Sequence, residues 1–173
     1  VIGIGETGLD YFYDKSDRER QRASFRAHIL AARTTGLPLI VHTRDAEADT
    51  LALLKESGEG TLNGVIHCFT ASQDFADQAL ALGFYISLSG IVTFRNARDL
   101  QATALTLPGD RLLVETDAPF LAPVPMRGKT CEPAFVAHTA GFVASLRGEG
   151  AEMLAASTTA NFFRLFAKAQ RPA

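Results

Sequence analysis

The sequence LPLIVH at residues 37–42 indicates the fold most clearly. It is a short apolar run, as in a buried strand, and it ends in a histidine, whose imidazole can bind a metal or transfer a proton. Runs of Leu, Ile and Val bounded by Gly or Pro are typical of strands buried on both faces. The same pattern predicts five strands along the chain, at residues 1–5, 37–41, 64–66, 84–88 and 112–114.

Segments with helical periodicity separate these runs. Ser16 and Glu19 have capping-box spacing, and Phe25 and Ile29 follow on one apolar face. Further helical patterns lie near residues 45–57, 74–82, 96–105, 134–146 and 152–166. Alternating strands and helices predict an α/β fold with a parallel sheet and right-handed crossovers. A doubly wound sheet and a (β/α) barrel both fit this pattern.

The composition limits the classes of protein to which this chain can belong. The chain has 173 residues, 47% of them hydrophobic, and a formal net charge of −2, which indicates one domain and excludes a broad basic face for DNA. It lacks a run of 18 apolar residues, so we expect no membrane span. With two cysteines and no export signal, we expect a cytoplasmic location.

Four of the apolar runs lead into a carboxylate or an imidazole. Barrel enzymes place catalytic groups at the carboxyl ends of their strands, and converging His, Glu and Asp side chains are suited to a divalent cation. A single such residue is more often a hydrogen-bonded structural group, but four at the same topological position favour a metal site. The four residues are Glu6, His42, His67 and Asp117.

Other residues near these strand ends have more than one interpretation. Glu115 lies two residues before Asp117, so it should share the same face of the strand. It either hydrogen-bonds to a metal ligand or is a buried acid paired with a positive group. Cys68 is expected to point away from His67, towards the helices, as a packed thiol. Three basic residues are either solvated loop charges or phosphate contacts: Arg44, Arg127 and Lys129.

Longer motifs at the strand ends resemble the TatD family of metal-dependent deoxyribonucleases. These motifs are ETGLDY from residue 6, VHTRDA from residue 41, IHCFT from residue 66 and ETDAPFLAP from residue 115. The later RGK at residues 127–129, EP at 132–133 and NFFRLF at 161–166 fit the same family. The resemblance implies a TIM (β/α) barrel of the metal-dependent hydrolase type. It also implies hydrolysis of phosphodiester bonds, typically as a 3′-5′ exodeoxyribonuclease.

The resemblance also implies roles for the site residues. Glu6 would bridge two divalent cations, of which His42 and His67 would bind one. Asp117 would bind the other cation and handle the proton of the attacking water, so Asp117 and Glu6 are the catalytic candidates. Mixed His and carboxylate ligands suit Mg, Mn or Zn without choosing among them. Three residues become candidates to bind the substrate phosphate: Arg44, Arg127 and Lys129.

The chain departs from the family pattern at its beginning. The family opens with a His-x-His pair on its first strand, which this sequence lacks, and a barrel has eight βα units in about 250 residues. We therefore expect residues 1–173 to be a single metallohydrolase barrel domain, N-terminally truncated, with about the last six of eight βα units.

The expected substrate is DNA, as single strands or 3′ ends, without a membrane or an obligate protein partner. A barrel hydrolase acting on an amide, lactone or nucleobase, and a truncated non-catalytic fragment, are the alternatives.

Overall fold

The computed structural model describes residues 1–171 and contains one five-stranded parallel sheet. The strands are β1 (Ile4–Asp10), β2 (Leu39–Arg44), β3 (Gly64–Ile66), β4 (Phe84–Leu88) and β5 (Leu112–Val114). They lie side by side in chain order, so the strand order never reverses as it does at the switch point of a doubly wound sheet. This order is that of a barrel wall.

Six α-helices accompany the strands: α1 (Arg18–Thr35), α2 (Glu47–Gly58), α3 (Gln73–Ala81), α4 (Arg98–Thr106), α5 (Val136–Arg147) and α6 (Ala151–Leu165). Residues 118–133, between β5 and α5, contain no strand. The described residues therefore supply the five strands that the sequence predicts, and the last unit contributes helices alone. None of the helices in residues 1–171 has the length and apolar content needed to cross a membrane.

Helix α1 shows how local sequence sets the ends and the packing of a helix. The Asp17 side chain, rather than Ser16, caps it by accepting hydrogen bonds from the backbone N–H groups of Glu19 and Arg20. Gly36 ends the helix in the left-handed conformation, at φ 65°. Phe25 and other apolar residues on one face are fully buried against the sheet, and each large side chain of this kind stabilises the fold by about 1.5–3 kcal/mol.

The two faces of the sheet differ because successive side chains on a strand point to opposite sides. Leu39, Val41 and their equivalents pack under the helices in the main core. On the other face, Ile40, Val65 and Leu113 line an open cavity of about 550 Å³ that reaches the site residues His67 and Glu115. Phe162 and Phe166 from the end of the chain also line it.

Strand β1 differs from its predicted extent and is paired tightly to β2. It covers residues 4–10 rather than 1–5, and its register to β2 shifts between Ile4 and Thr7. Glu6 therefore lies at an irregularity within the strand instead of directly after it. Gly8 pairs with His42, and a Cβ at Gly8 would overlap the His42 carbonyl oxygen, so only glycine allows this approach.

Candidate metal centre

Three of the predicted ligands meet at the carboxyl edge of the sheet. Glu6 Oε1 lies 2.8 Å from His67 Nε2 and 3.4 Å from His42 Nδ1. The two imidazole rings are 5.8 Å apart between centroids. One ligand atom from each residue lies within 4.8 Å of the others, which is close enough for the three to share a cation.

Asp117 belongs to a second, overlapping group. It forms a set with His67 and Glu115 whose ligand atoms also lie within 4.8 Å of one another. Glu115 Oε1 lies 3.3 Å from His67 Nδ1 and accepts a hydrogen bond of 2.9 Å from the Cys68 backbone N–H. His67 thus connects the two groups into one cluster. The structure places Glu115 directly beside the predicted ligands, as its sequence position suggests.

Sequence reasoning assigned no role to Asp10, which the structure places against His42. Asp10 Oδ2 lies 3.3 Å from His42 Nε2, on the side of the ring opposite to Glu6. His67 repeats this arrangement, with Glu115 on one nitrogen and Glu6 on the other. Histidine ligands commonly have a carboxylate on the second nitrogen, which orients the ring and raises its basicity. Asp10 lies inside the ETGLDY motif, but only the β1–β2 register brings it to His42.

The cluster carries an excess of negative charge around its imidazoles. Burial of His67 opposes its charged form, but the carboxylates of Glu115 and Glu6 outweigh burial and raise the pKa of His67 to about 9. Burial raises the pKa of the Asp117 carboxyl, and the neighbouring Glu115 and Glu6 raise it further against the opposing effect of His67. A set of oxygen and nitrogen donors with surplus negative charge fits a divalent cation.

Cys68 was expected to face the helices, and the structure corrects this. Strand β3 ends at Ile66, and Cys68 has a positive φ of 44°, so it no longer follows the alternation of the strand. Its thiol lies 3.2 Å from Ser89 Oγ, and the nearby carboxylates of Asp117 and Glu115 disfavour its charged form. Burial raises the pKa of this thiol to about 12, so it is a protonated neighbour of the cluster rather than a nucleophile. Asp117 also has a positive φ, of 59°.

The three basic candidates are not brought together in one place. The Arg44 guanidinium lies over the rings of Phe12 and Tyr13, two residues along β2 from His42. The Arg127 guanidinium lies 3.7 Å from the centroid of the Phe94 ring, and the Lys129 backbone N–H donates to Met126 within the same loop. Within residues 1–171, none of the three forms an ion pair, so their charges are available to an anion.

The chain is similar in sequence to known proteins. The family model described as TatD related DNase matches residues 1–167. Metal-dependent hydrolase YcfH of Escherichia coli strain K12 is 55% identical over 166 residues, which cover 96% of this chain and 63% of YcfH. The 3′-5′ ssDNA/RNA exonuclease TatD of Klebsiella pneumoniae strain 342 is 38% identical over 171 residues, covering 96% of this chain and 65% of the exonuclease. The chain thus spans about 63–65% of the length of these relatives.

Solved structures show the same fold. YJJV, a TatD homologue from Escherichia coli K12, superposes with a TM-score of 0.89 at 30% identity, over 96% of this chain and 64% of YJJV. A TatD family hydrolase from Entamoeba histolytica superposes with a TM-score of 0.87 at 23% identity, over 96% of this chain and 63% of its own. These matches confirm the resemblance seen in the motifs and the barrel fold expected from it. The chain belongs to the TatD-related DNase family.

Proposed function

We propose that this chain carries the metal site of a hydrolase that cleaves phosphodiester bonds in DNA, as a 3′-5′ exodeoxyribonuclease. The observation that supports this most strongly is the cluster in which Glu6, Glu115 and Asp117 surround two imidazoles at the carboxyl edge of the sheet. The name of the Klebsiella pneumoniae relative, a 3′-5′ ssDNA/RNA exonuclease, supports the substrate class.

The residues present fit a divalent cation, and we infer that a pair of cations is bound. Glu6, His42 and His67 would hold one cation, while Asp117 would bind the second and Glu6 would bridge to it. Such cations, whether Mg, Mn or Zn, lower the pKa of a nearby water and stabilise charge on the attacking and leaving oxygens. Asp10 and Glu115 would fix the orientation of the two histidine rings.

The chain's own residues then handle the proton and the phosphate. Asp117, whose pKa is raised by burial and by its acidic neighbours, is suited to accept a proton from the attacking water. Arg44, Arg127 and Lys129 would contact the phosphate, since no carboxylate of residues 1–171 neutralises them.

The net charge of the chain favours binding to the end of a DNA strand over binding along a duplex. A net charge of −2 disfavours binding through a large number of phosphate contacts, and we infer that affinity comes from the metal site and a few nearby cations. Single-stranded 3′ ends are therefore the proposed substrate. Cys68 and Cys131 are free thiols, in line with a reducing cytoplasm as the location.

Substitution of Glu6 tests the metal assignment. Glu6→Gln should abolish bound metal and reduce hydrolysis of a 3′-labelled single-stranded oligonucleotide at least 100-fold, on the order expected when a central ligand is lost. Glu152→Gln, an exposed change in the first turn of α6, should retain both properties and is the control. Metal content by elemental analysis and rate by gel assay give the two readouts. An intact rate and metal content in Glu6→Gln would refute the two-cation assignment.

Substitution of Lys129 tests the phosphate assignment. Lys129→Ala should weaken hydrolysis of DNA ends about tenfold, because a charged hydrogen bond to the phosphate contributes roughly 1.5 kcal/mol. Unchanged turnover of DNA ends with normal metal content would remove this reason for a phosphate substrate. If the wild-type protein instead hydrolyses no DNA end, an amide or lactone substrate becomes the better hypothesis.

A further inference from the structure

The loop that follows β1 exposes two aromatic rings beside the metal cluster. Phe12 is 55% exposed and Tyr13 is 58% exposed, although burying such rings would stabilise the fold. The rings meet edge to face, with centroids 4.9 Å apart. The rings are nearly perpendicular, at 86°, so a ligand could stack on the face of one ring beside the edge of the other.

Two cations adjoin these rings. The Arg44 guanidinium carbon lies 4.1 Å from the centroid of Phe12 and 4.8 Å from that of Tyr13. The Lys15 ammonium lies 5.5 Å from the Tyr13 centroid. Neither cation forms an ion pair with any carboxylate of residues 1–171. Aromatic faces combined with free positive charge match the bases and phosphates of single-stranded nucleic acid.

The loop that carries the two rings is attached rigidly to the metal cluster. Asp10 Oδ1 accepts hydrogen bonds from the backbone N–H groups of Phe12 and Tyr13, at 3.0 and 2.8 Å. The other oxygen of the same carboxylate faces His42. Gln21 donates to the backbone carbonyls at both ends of the loop, Asp10 and Ser16. The loop is therefore held at a fixed place relative to a proposed metal ligand.

We propose that Phe12 and Tyr13, with Arg44 packed against both rings, form a stacking platform for the terminal base of a single-stranded nucleic acid. Lys15 would neutralise a backbone phosphate next to that base. This proposal rests on the proposed function, which places the scissile phosphate at the neighbouring metal cluster. Stacking tolerates any base because every base has an aromatic face, so the platform would bind a strand end without reading its sequence.

The platform can be tested by binding as well as by activity. The probe is a short single-stranded DNA with a 3′-terminal 2-aminopurine, whose fluorescence falls on stacking, and a phosphorothioate in the last linkage to slow cleavage. A matched oligonucleotide ends in an abasic residue. The Phe12→Leu/Tyr13→Leu double variant removes both aromatic faces but keeps apolar side chains, and Tyr13→Phe keeps the face while losing only the hydroxyl.

The wild-type protein and Tyr13→Phe should quench the probe and bind it more tightly than the abasic oligonucleotide. The double variant should lose the quenching and about 5- to 150-fold in affinity for the base-bearing end, the range measured for one stacked base. Its affinity for the abasic end should be unchanged. On cleavable DNA, KM should rise while kcat stays the same.

Failure of the platform and failure of the proposed function give different results. Equal quenching by the wild-type protein and the double variant, or equal loss on the base-bearing and abasic ends, would overturn the platform. If the wild-type protein quenches the probe but cleaves no oligonucleotide under any divalent cation, the platform stands as a nucleic-acid site. The exonuclease proposal would then fail.

Discussion

Replacing Glu115 with glutamine should flatten the pH dependence of the stability of the metal-free protein. His67 lies between Glu115 and Glu6, and the two carboxylates raise its pKa to about 9 in spite of burial. Glutamine keeps an oxygen that can accept the Cys68 N–H but carries no charge. Glu115→Gln therefore removes one of the two acidic partners of His67 while leaving the size of the side chain nearly unchanged.

The expected magnitude follows from the pKa of His67. An unfolded histidine has a pKa near 6.5, so the raised value stabilises the fold fully below about pH 6.5, and this stabilisation is lost as the pH rises through about 9. For these two values, the free energy of unfolding falls by about 2 kcal/mol between pH 6.5 and 8.5. Burial raises the pKa of the Cys68 thiol to about 12, whereas the unfolded thiol titrates near 8.5, so Cys68 lowers the stability by a further amount of about 0.4 kcal/mol over this range.

Urea unfolding in the presence of EDTA, at about pH 6.5 and 8.5, measures this difference. The wild-type protein should lose at least about 2 kcal/mol over the range, whereas Glu115→Gln should lose less than about 1 kcal/mol. Glu152→Gln should match the wild-type protein, because this exposed residue lies in the first turn of α6. The reasoning is refuted if Glu115→Gln shows the full wild-type slope, or if wild-type stability rises with pH over this range.

Two further substitutions test the β1–β2 pairing and its contribution to the site. Asp10→Asn should weaken divalent-cation binding about 10- to 100-fold by calorimetry, because the carboxylate that orients His42 is lost, and unchanged affinity would show that this contact is dispensable. Gly8→Ala should destabilise the fold by about 4 kcal/mol or more in urea unfolding, because the added Cβ overlaps the His42 carbonyl oxygen. Gly141→Ala is its control, since a Cβ there meets nothing within 4 Å and should stabilise α5 by up to about 1 kcal/mol.

The strands and the meeting of the candidate ligands at one edge of the sheet could be predicted largely from the sequence, because both depend on local chemistry. A buried parallel strand needs a short apolar run, and such runs located β3, β4 and β5 at the observed residues. Parallel strands also bring their carboxyl ends to one edge, so polar residues after separate strands had to approach each other. That rule predicted the meeting of Glu6 and His67 across 61 residues of chain, although Glu6 lies at an irregularity within β1 and not after it.

Tertiary structure decided the contacts that depend on register and backbone direction. Asp10 reaches His42 because Gly8 pairs with His42 across the strands, and one-dimensional periodicity contains no information about that register. Cys68 turns towards Ser89 because its positive φ breaks the alternation assumed for a strand. Apolar periodicity specifies which face of a segment is buried, whereas the partner of a polar side chain depends on which backbone atoms of distant segments lie opposite each other.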